Sequence, residues 1–133
     1  MARRRSIHIP GYKHANPIPA GCKVGNIVAT GLITGRDPVS GAMPPTLEAQ
    51  VHNMFGHVKA ILEAAGGSMD DIVKLNVYMK DPGQRGLLND PWLKLFPDEH
   101  SRPARHTQRA DMDGTPVSQR LECRIGRRLS HGR

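Results

Sequence analysis

The stretch TLEAQVHNMFGHVKAILEAAGGSMDDIVKLNVYM, Thr46 to Met79, decides the fold class, because its hydrophobic period changes from helical to extended partway along. Leu47, Val51, Met54, Phe55, Val58, Ile61, Leu62 and Ala65 recur at intervals of three and four, the stripe of an amphipathic helix. Thr46 is a fitting N-cap, Glu48 places an acid in the first turn, and Gly66-Gly67 supplies the stop. A turn over Ser68 to Asp71 then leads into Ile72 to Met79, where Val73, Leu75, Val77 and Met79 alternate with Lys74, Asn76 and Tyr78. That is a half-buried strand.

Towards the N-terminus, Ser6 to Ile9 is expected to form a short strand and Gly11 to Gly21 a loop containing Pro17 and Pro19. Asn26 to Gly31 and Leu32 to Gly35 read as one strand bent at its glycines, followed by a loop from Asp37 to Pro45. Towards the C-terminus, Asp81-Pro82-Gly83 breaks the strand, and Leu87, Leu88, Trp92, Leu95 and Phe96 point to a second helix. Either Asp90 caps it with Pro91 at its first position, or the helix kinks at Pro91. Pro103 to Ala110 and Val117 to Ile125 are expected to form a terminal hairpin across the turn-rich Asp111 to Pro116. In the last strand Cys123 shares the apolar face with Val117 and Leu121, as a small buried hydrophobe. Arg120, Glu122 and Arg124 lie in a row on the opposite face, where an ion pair is a simpler reading than catalysis.

A chain of 133 residues is the size of a single domain, 1–133, with one core. Five aromatics, Tyr12, Phe55, Tyr78, Trp92 and Phe96, leave that core to aliphatic residues and give little for stacking bases. The formal charge is +7, but six arginines lie in the basic tails 1–5 and 127–133 and account for nearly all of it. These tails read as solvated, which disfavours nucleic acid as the partner. Cys22 and Cys123 have no zinc-ligand spacing, and His52 and His57 lie about 140° apart around a helix, so no metal site is proposed. The start MARRRS lacks the apolar run of a secretory signal, and nothing approaches the length of a membrane span. A reducing cytoplasm is the expected location.

The stretch Ile61 to Asp81, then Asn89 with Trp92, then FPDEHSRPARHT (Phe96 to Thr107) resembles the reactive-intermediate deaminase family, the Rid or YjgF-like proteins. Order and spacing agree from Gly25-Asn26 through Thr30-Gly31 and Gln50 to Pro103-Ala104-Arg105 and the closing strand. The resemblance implies an α+β fold of the chorismate-mutase-like type, a mixed β-sheet with two helices on one face. It also implies a homotrimer with sites in the clefts between subunits. Two amphipathic helices can indeed cover only one face of a sheet, and an aromatic-poor chain gains core by association.

The chemistry implied is hydrolysis of 2-imino acids and their enamine tautomers to 2-oxo acids and ammonia, without a cofactor. Arg105 matches the arginine that grips the substrate carboxylate, a task suited to a planar guanidinium fork. Thr30, Gly31 and Thr107 would line the cleft, with Asn89 in support. In the best-studied members a glutamate two residues before Glu122 helps hold the attacking water, and here that position is Arg120. Glu122 is about 6.6 Å further along the strand. Thr107 stands where cysteine is frequent, and no tyrosine occupies Pro17-Ile18. Three readings follow: imine hydrolysis assisted by Arg105 and backbone groups; action on a different anion such as a dicarboxylate, marked by Arg120; or carboxylate binding without chemistry. An RNA-associated role, which the basic tails would suit, ranks below them.

Overall fold

In a computed structural model, residues 3–13, 15–110 and 117–124 are described, with backbone alone at 119–122 and 124. Strands β1 (Arg4–Ile7), β2 (Gly21–Val24), β3 (Ile27–Thr30), β4 (Ile33–Thr34), β5 (Ile72–Met79), β6 (Ala104–Arg109) and β7 (Val117–Arg124) form one mixed sheet. Its order is β1-β2-β3-β7-β5-β6, with β4 paired to β7. Helices α1 (Leu47–Ala64) and α2 (Asn89–Leu95) complete an α+β fold.

The helix α1 forms where its apolar period ends in signals for both termini. Thr46 caps it, its side chain accepting from the Ala49 N–H at 3.2 Å. Val51, Met54, Val58, Ile61 and Leu62 bury its stripe completely against the sheet face that carries Val28, Ile33, Leu75 and Val77. The last turn has no basic residue of its own. Strands β1 and β2 provide two: Lys23 Nζ donates to the Ala65 carbonyl at 2.8 Å, and Arg5 Nη2 to the Ala64 carbonyl at 3.3 Å. Both satisfy carbonyls at the negative end of the helix dipole. Replacing Lys23 by Ala is expected to cost about 1 kcal/mol, read as a lowered urea midpoint with an unchanged slope.

Several expectations need correction. The strand β1 starts at Arg4, inside the segment read as a tail, because its residues pair with β2 in register Arg5 to Lys23. The strand β2 falls partly in the expected loop. In β5 a register shift between Ile72 and Lys74 turns Val73 outward, 62% exposed, and Ile72 takes the buried place instead. A 3₁₀ helix, Pro82–Leu88, runs directly into α2, and its cap is Asp81, whose carboxylate accepts from the Gly83 N–H at 3.0 Å. Asp90 is therefore inside α2, and Pro91 sits in the first turn, where its missing N–H costs nothing. The strands β6 and β7 are not a hairpin: β5 lies between them, parallel to β6 and antiparallel to β7. The turn over Asp111 to Pro116, Ile125 and the C-terminal tail lie outside the described residues.

Among the described residues, the helices pack on one sheet face. The other is mixed, with Cys22, Ala29, Asn76 and Tyr78 half-buried and Ile27 49% exposed. On the covered face Cys123 is buried as expected, and burial pushes its thiol up to about 11. The histidine His57 is structural: its Nε2 donates to the Arg36 carbonyl at 2.7 Å, and its ring meets Tyr12 edge-on at 4.9 Å. Tyr12 in turn accepts from the Thr34 N–H at 3.0 Å, so this cluster fastens the chain after β4 onto α1.

Candidate functional site

The edge strand β6 brings the chemistry. Alternation places Arg105 and Thr107 on the helix-covered face, opposite Leu75 and Val77 of β5, with Ala104, His106 and Gln108 on the other. Burial follows the pattern, since Arg105 and Thr107 are half-buried and the three others exposed. The helix α2 covers the guanidinium with two residues one turn apart. Asn89 Oδ1 accepts from Arg105 Nη2 at 2.9 Å, and the Trp92 ring lies 4.9 Å from the guanidinium carbon. Phe96 steadies Trp92 by edge contact at 4.7 Å.

One nitrogen of the fork has no such partner. Arg105 Nη1 is buried and makes no hydrogen bond among the described residues. Among the described residues Arg105 has no ion pair either, the one salt bridge being His100 to Glu99. Burial, and then the like charge of Arg85 in the 3₁₀ helix, lowers the Arg105 pKa from its ordinary value. A half-buried guanidinium with a donor unsatisfied has the chemistry to take an anionic acceptor.

The other residues anticipated from the sequence lie elsewhere. Thr30 and Gly31 stand at the end of β3, separated from β6 by β7 and β5, about 14 Å at the usual strand spacing. The Gly31 N–H donates to the Ala20 carbonyl at 3.1 Å, and Ala20 lines a hollow with His8, Tyr12, Asn16, Pro17 and Ile18. Register sets position 120 beside Asn76 and position 122 beside Lys74 on the strand β7, which β5 separates from β6. One chain thus joins Arg105, Asn89 and Thr107 at one edge and holds Thr30 and Gly31 on a strand well inside the other half of the sheet.

The stacking of Trp92 against the Arg105 guanidinium was not anticipated, although the family resemblance pairs Trp92 with Asn89 and their spacing of three puts both on one helix side. Among the described residues no three His, Cys, Asp or Glu side chains group as they would around a metal ion. No helix there is long and apolar enough to cross a membrane.

Known proteins place this architecture. The family profile described as Endoribonuclease L-PSP matches residues 13–112. A RutC family protein of Pyrococcus abyssi is 33% identical over 94 residues, 70% of this chain and 72% of its own. The 2-iminobutanoate/2-iminopropanoate deaminase of Escherichia coli is 33% identical over 90 residues, 67% of this chain and 70% of its own. Among solved structures, RidA from the Antarctic bacterium Psychrobacter superposes with a TM-score of 0.82 at 30% identity, covering 91% of this chain and 99% of that one. With two-thirds and more of the chain matched in sequence and nine-tenths in fold, the chain belongs to the Rid/YjgF/RutC family, that of the endoribonuclease L-PSP profile.

Proposed function

We propose that this chain hydrolyses 2-imino acids and their enamine tautomers to 2-oxo acids and ammonia, in a cleft between copies of itself. The observation that carries the reading is Arg105: a half-buried guanidinium fixed by Asn89 and Trp92 with Nη1 unpartnered. A substrate carboxylate would supply the missing acceptor and the missing charge in one contact. Distant relatives named as imino-acid deaminases support the same direction.

The reaction needs little beyond positioning. Water adds to the carbon of a protonated C=N group, one of its protons passes to the nitrogen, and the tetrahedral adduct collapses as the C–N bond breaks, forming C=O and releasing ammonia, which carries off the remaining hydroxyl proton as ammonium. Arg105 holds the adjacent carboxylate and so fixes the carbon to be attacked. A protonated imine is electrophilic enough for backbone acceptors and hydroxyls to orient the water. Thr107 lies on the same face as Arg105, two residues along β6.

The separation of Arg105 from Thr30 and Gly31 supports a shared cleft. A head-to-tail contact between copies brings the β6 edge of one to the β3 end and hollow of the next, and such contacts close into a ring such as a trimer. The mixed, uncovered sheet face then gains a partner.

The test is ammonia release from freshly generated 2-iminobutanoate and 2-iminopropanoate, with semicarbazide competing for the imine and free ammonium as control. Catalysed release is expected at pH 7 to 8 without added metal or cofactor. Binding of 2-oxobutanoate with no accelerated release would reduce the reading to carboxylate binding. Loss of all carboxylate binding would remove it.

A further inference from the structure

The two groups that hold Arg105 carry no charge. Asn89 Oδ1 accepts from Nη2 at 2.9 Å, and the guanidinium carbon lies over the Trp92 ring, 4.9 Å from its centroid. An amide and an indole orient the fork and offset part of its desolvation, yet leave its positive charge for a ligand. A carboxylate at position 92 would do the opposite, filling the fork with a permanent counter-ion. The ring is itself fixed, since Trp92 is 8% exposed, belongs to the core and meets Phe96 edge-on at 4.7 Å. A core aromatic on α2 thus lends its rigidity to a long side chain on the edge strand β6.

We infer that Trp92 is a positioning residue for carboxylate binding: its π face holds the Arg105 guanidinium in one orientation, with Nη1 left for an anion, and it acts through Arg105 rather than on the reacting atoms. This rests on the reading of Arg105 as the carboxylate anchor. A single hydrogen bond to the exposed Asn89 restrains one end of a flexible side chain. Contact over the indole removes the remaining swing, so the ordering cost is met before the ligand arrives. The contribution belongs to the ring and not to its bulk alone: phenylalanine keeps a π face, and leucine keeps only apolar volume. Trp92 is also the chain's single tryptophan, so its emission reads this one contact.

The experiment measures calorimetric binding of 2-oxobutanoate, with Tm alongside, in wild type, Trp92→Phe, Trp92→Leu and Ile61→Val, the last a core truncation on α1. Trp92→Leu should raise Kd by about 5- to 30-fold, the effect of losing a partly desolvated cation–π contact, and Trp92→Phe by less than about 3-fold. Ile61→Val should lower Tm and leave Kd where it was, which separates a general loss of stability from the loss of the ring. Equal weakening by Phe and Leu, an unchanged Kd in Trp92→Leu, or the same weakening in Ile61→Val overturns the inference. Should Trp92→Leu fail to fold, wild-type fluorescence decides. The emission of Trp92 should change as 2-oxobutanoate is added, with the calorimetric Kd, and an emission that stays constant at saturation overturns the inference. A wild type that binds no 2-oxobutanoate removes the anchor reading and this inference with it, whereas ordinary wild-type binding with Phe and Leu variants alike removes the inference alone.

Discussion

Arg105→Ala should lower kcat/KM for 2-iminobutanoate by at least about 100-fold while leaving the chain folded. Each charge-assisted hydrogen bond to a carboxylate is worth about 1.5–3 kcal/mol, and the fork is placed to make two. The loss should appear mainly in KM and in 2-oxobutanoate binding, because the carboxylate is held before and during water attack. Stability should change by no more than about 1 kcal/mol: the variant gives up one bond to Asn89 and a stacked contact on Trp92, but also removes a charge partly withdrawn from water. Arg105→Lys should restore little, since an ammonium cannot lie flat on Trp92 while bridging Asn89 and a carboxylate. Thermal melting read alongside activity separates the two roles. A large drop in Tm for Arg105→Ala would make the residue structural.

The largest stability effect is expected at Gly35. A Cβ added there would collide with the Gln50 carbonyl and come within 2.6 Å of the Gln50 Cα, in the first turn of α1. Backbone cannot move aside as a flexible side chain can. The close approach is used, because Asn53 Nδ2 donates to the Gly35 carbonyl at 3.1 Å across the same seam. Gly35→Ala must push α1 off the chain that follows β4, opening the junction that Tyr12 and His57 fasten. A loss of about 3 kcal/mol, seen as a fall in Tm of about 10 °C, is expected. Gly31→Ala is the matched control, since a Cβ at Gly31 meets nothing within 4 Å, and its Tm should barely move. Equal destabilisation by both would mean that the seam at Gln50 is not where the energy lies.

How much of this was legible in the sequence depends on how local the cause is. The helix α1 and its Thr46 cap could be read because the period, cap and stop all lie in the one stretch from Thr46 to Gly67. The bulge that turns Val73 outward could not, because Ile72 and Val73 are equally apolar and only pairing with β7 chooses between them. The false hairpin has the same origin. A short, turn-rich connection favours pairing β6 with β7, yet β6 runs parallel to β5, whose partnership spans α2 and leaves no local trace. At the site, Arg105 and Asn89 could be found by family resemblance, whereas the stacking of Trp92 on Arg105 exists only once α2 is laid against β6.

The sheet order carries one more consequence. Residues 30 and 105 sit three strands apart in a single molecule, yet a cleft shared between copies would set them wall to wall. A change at one then creates pressure for a compensating change at the other, although the two side chains never meet within their own polypeptide. Paired substitutions across related genes would mark this couple as neighbours, and a map of contacts inferred from such pairs would show an apparent error that is in fact the signature of assembly.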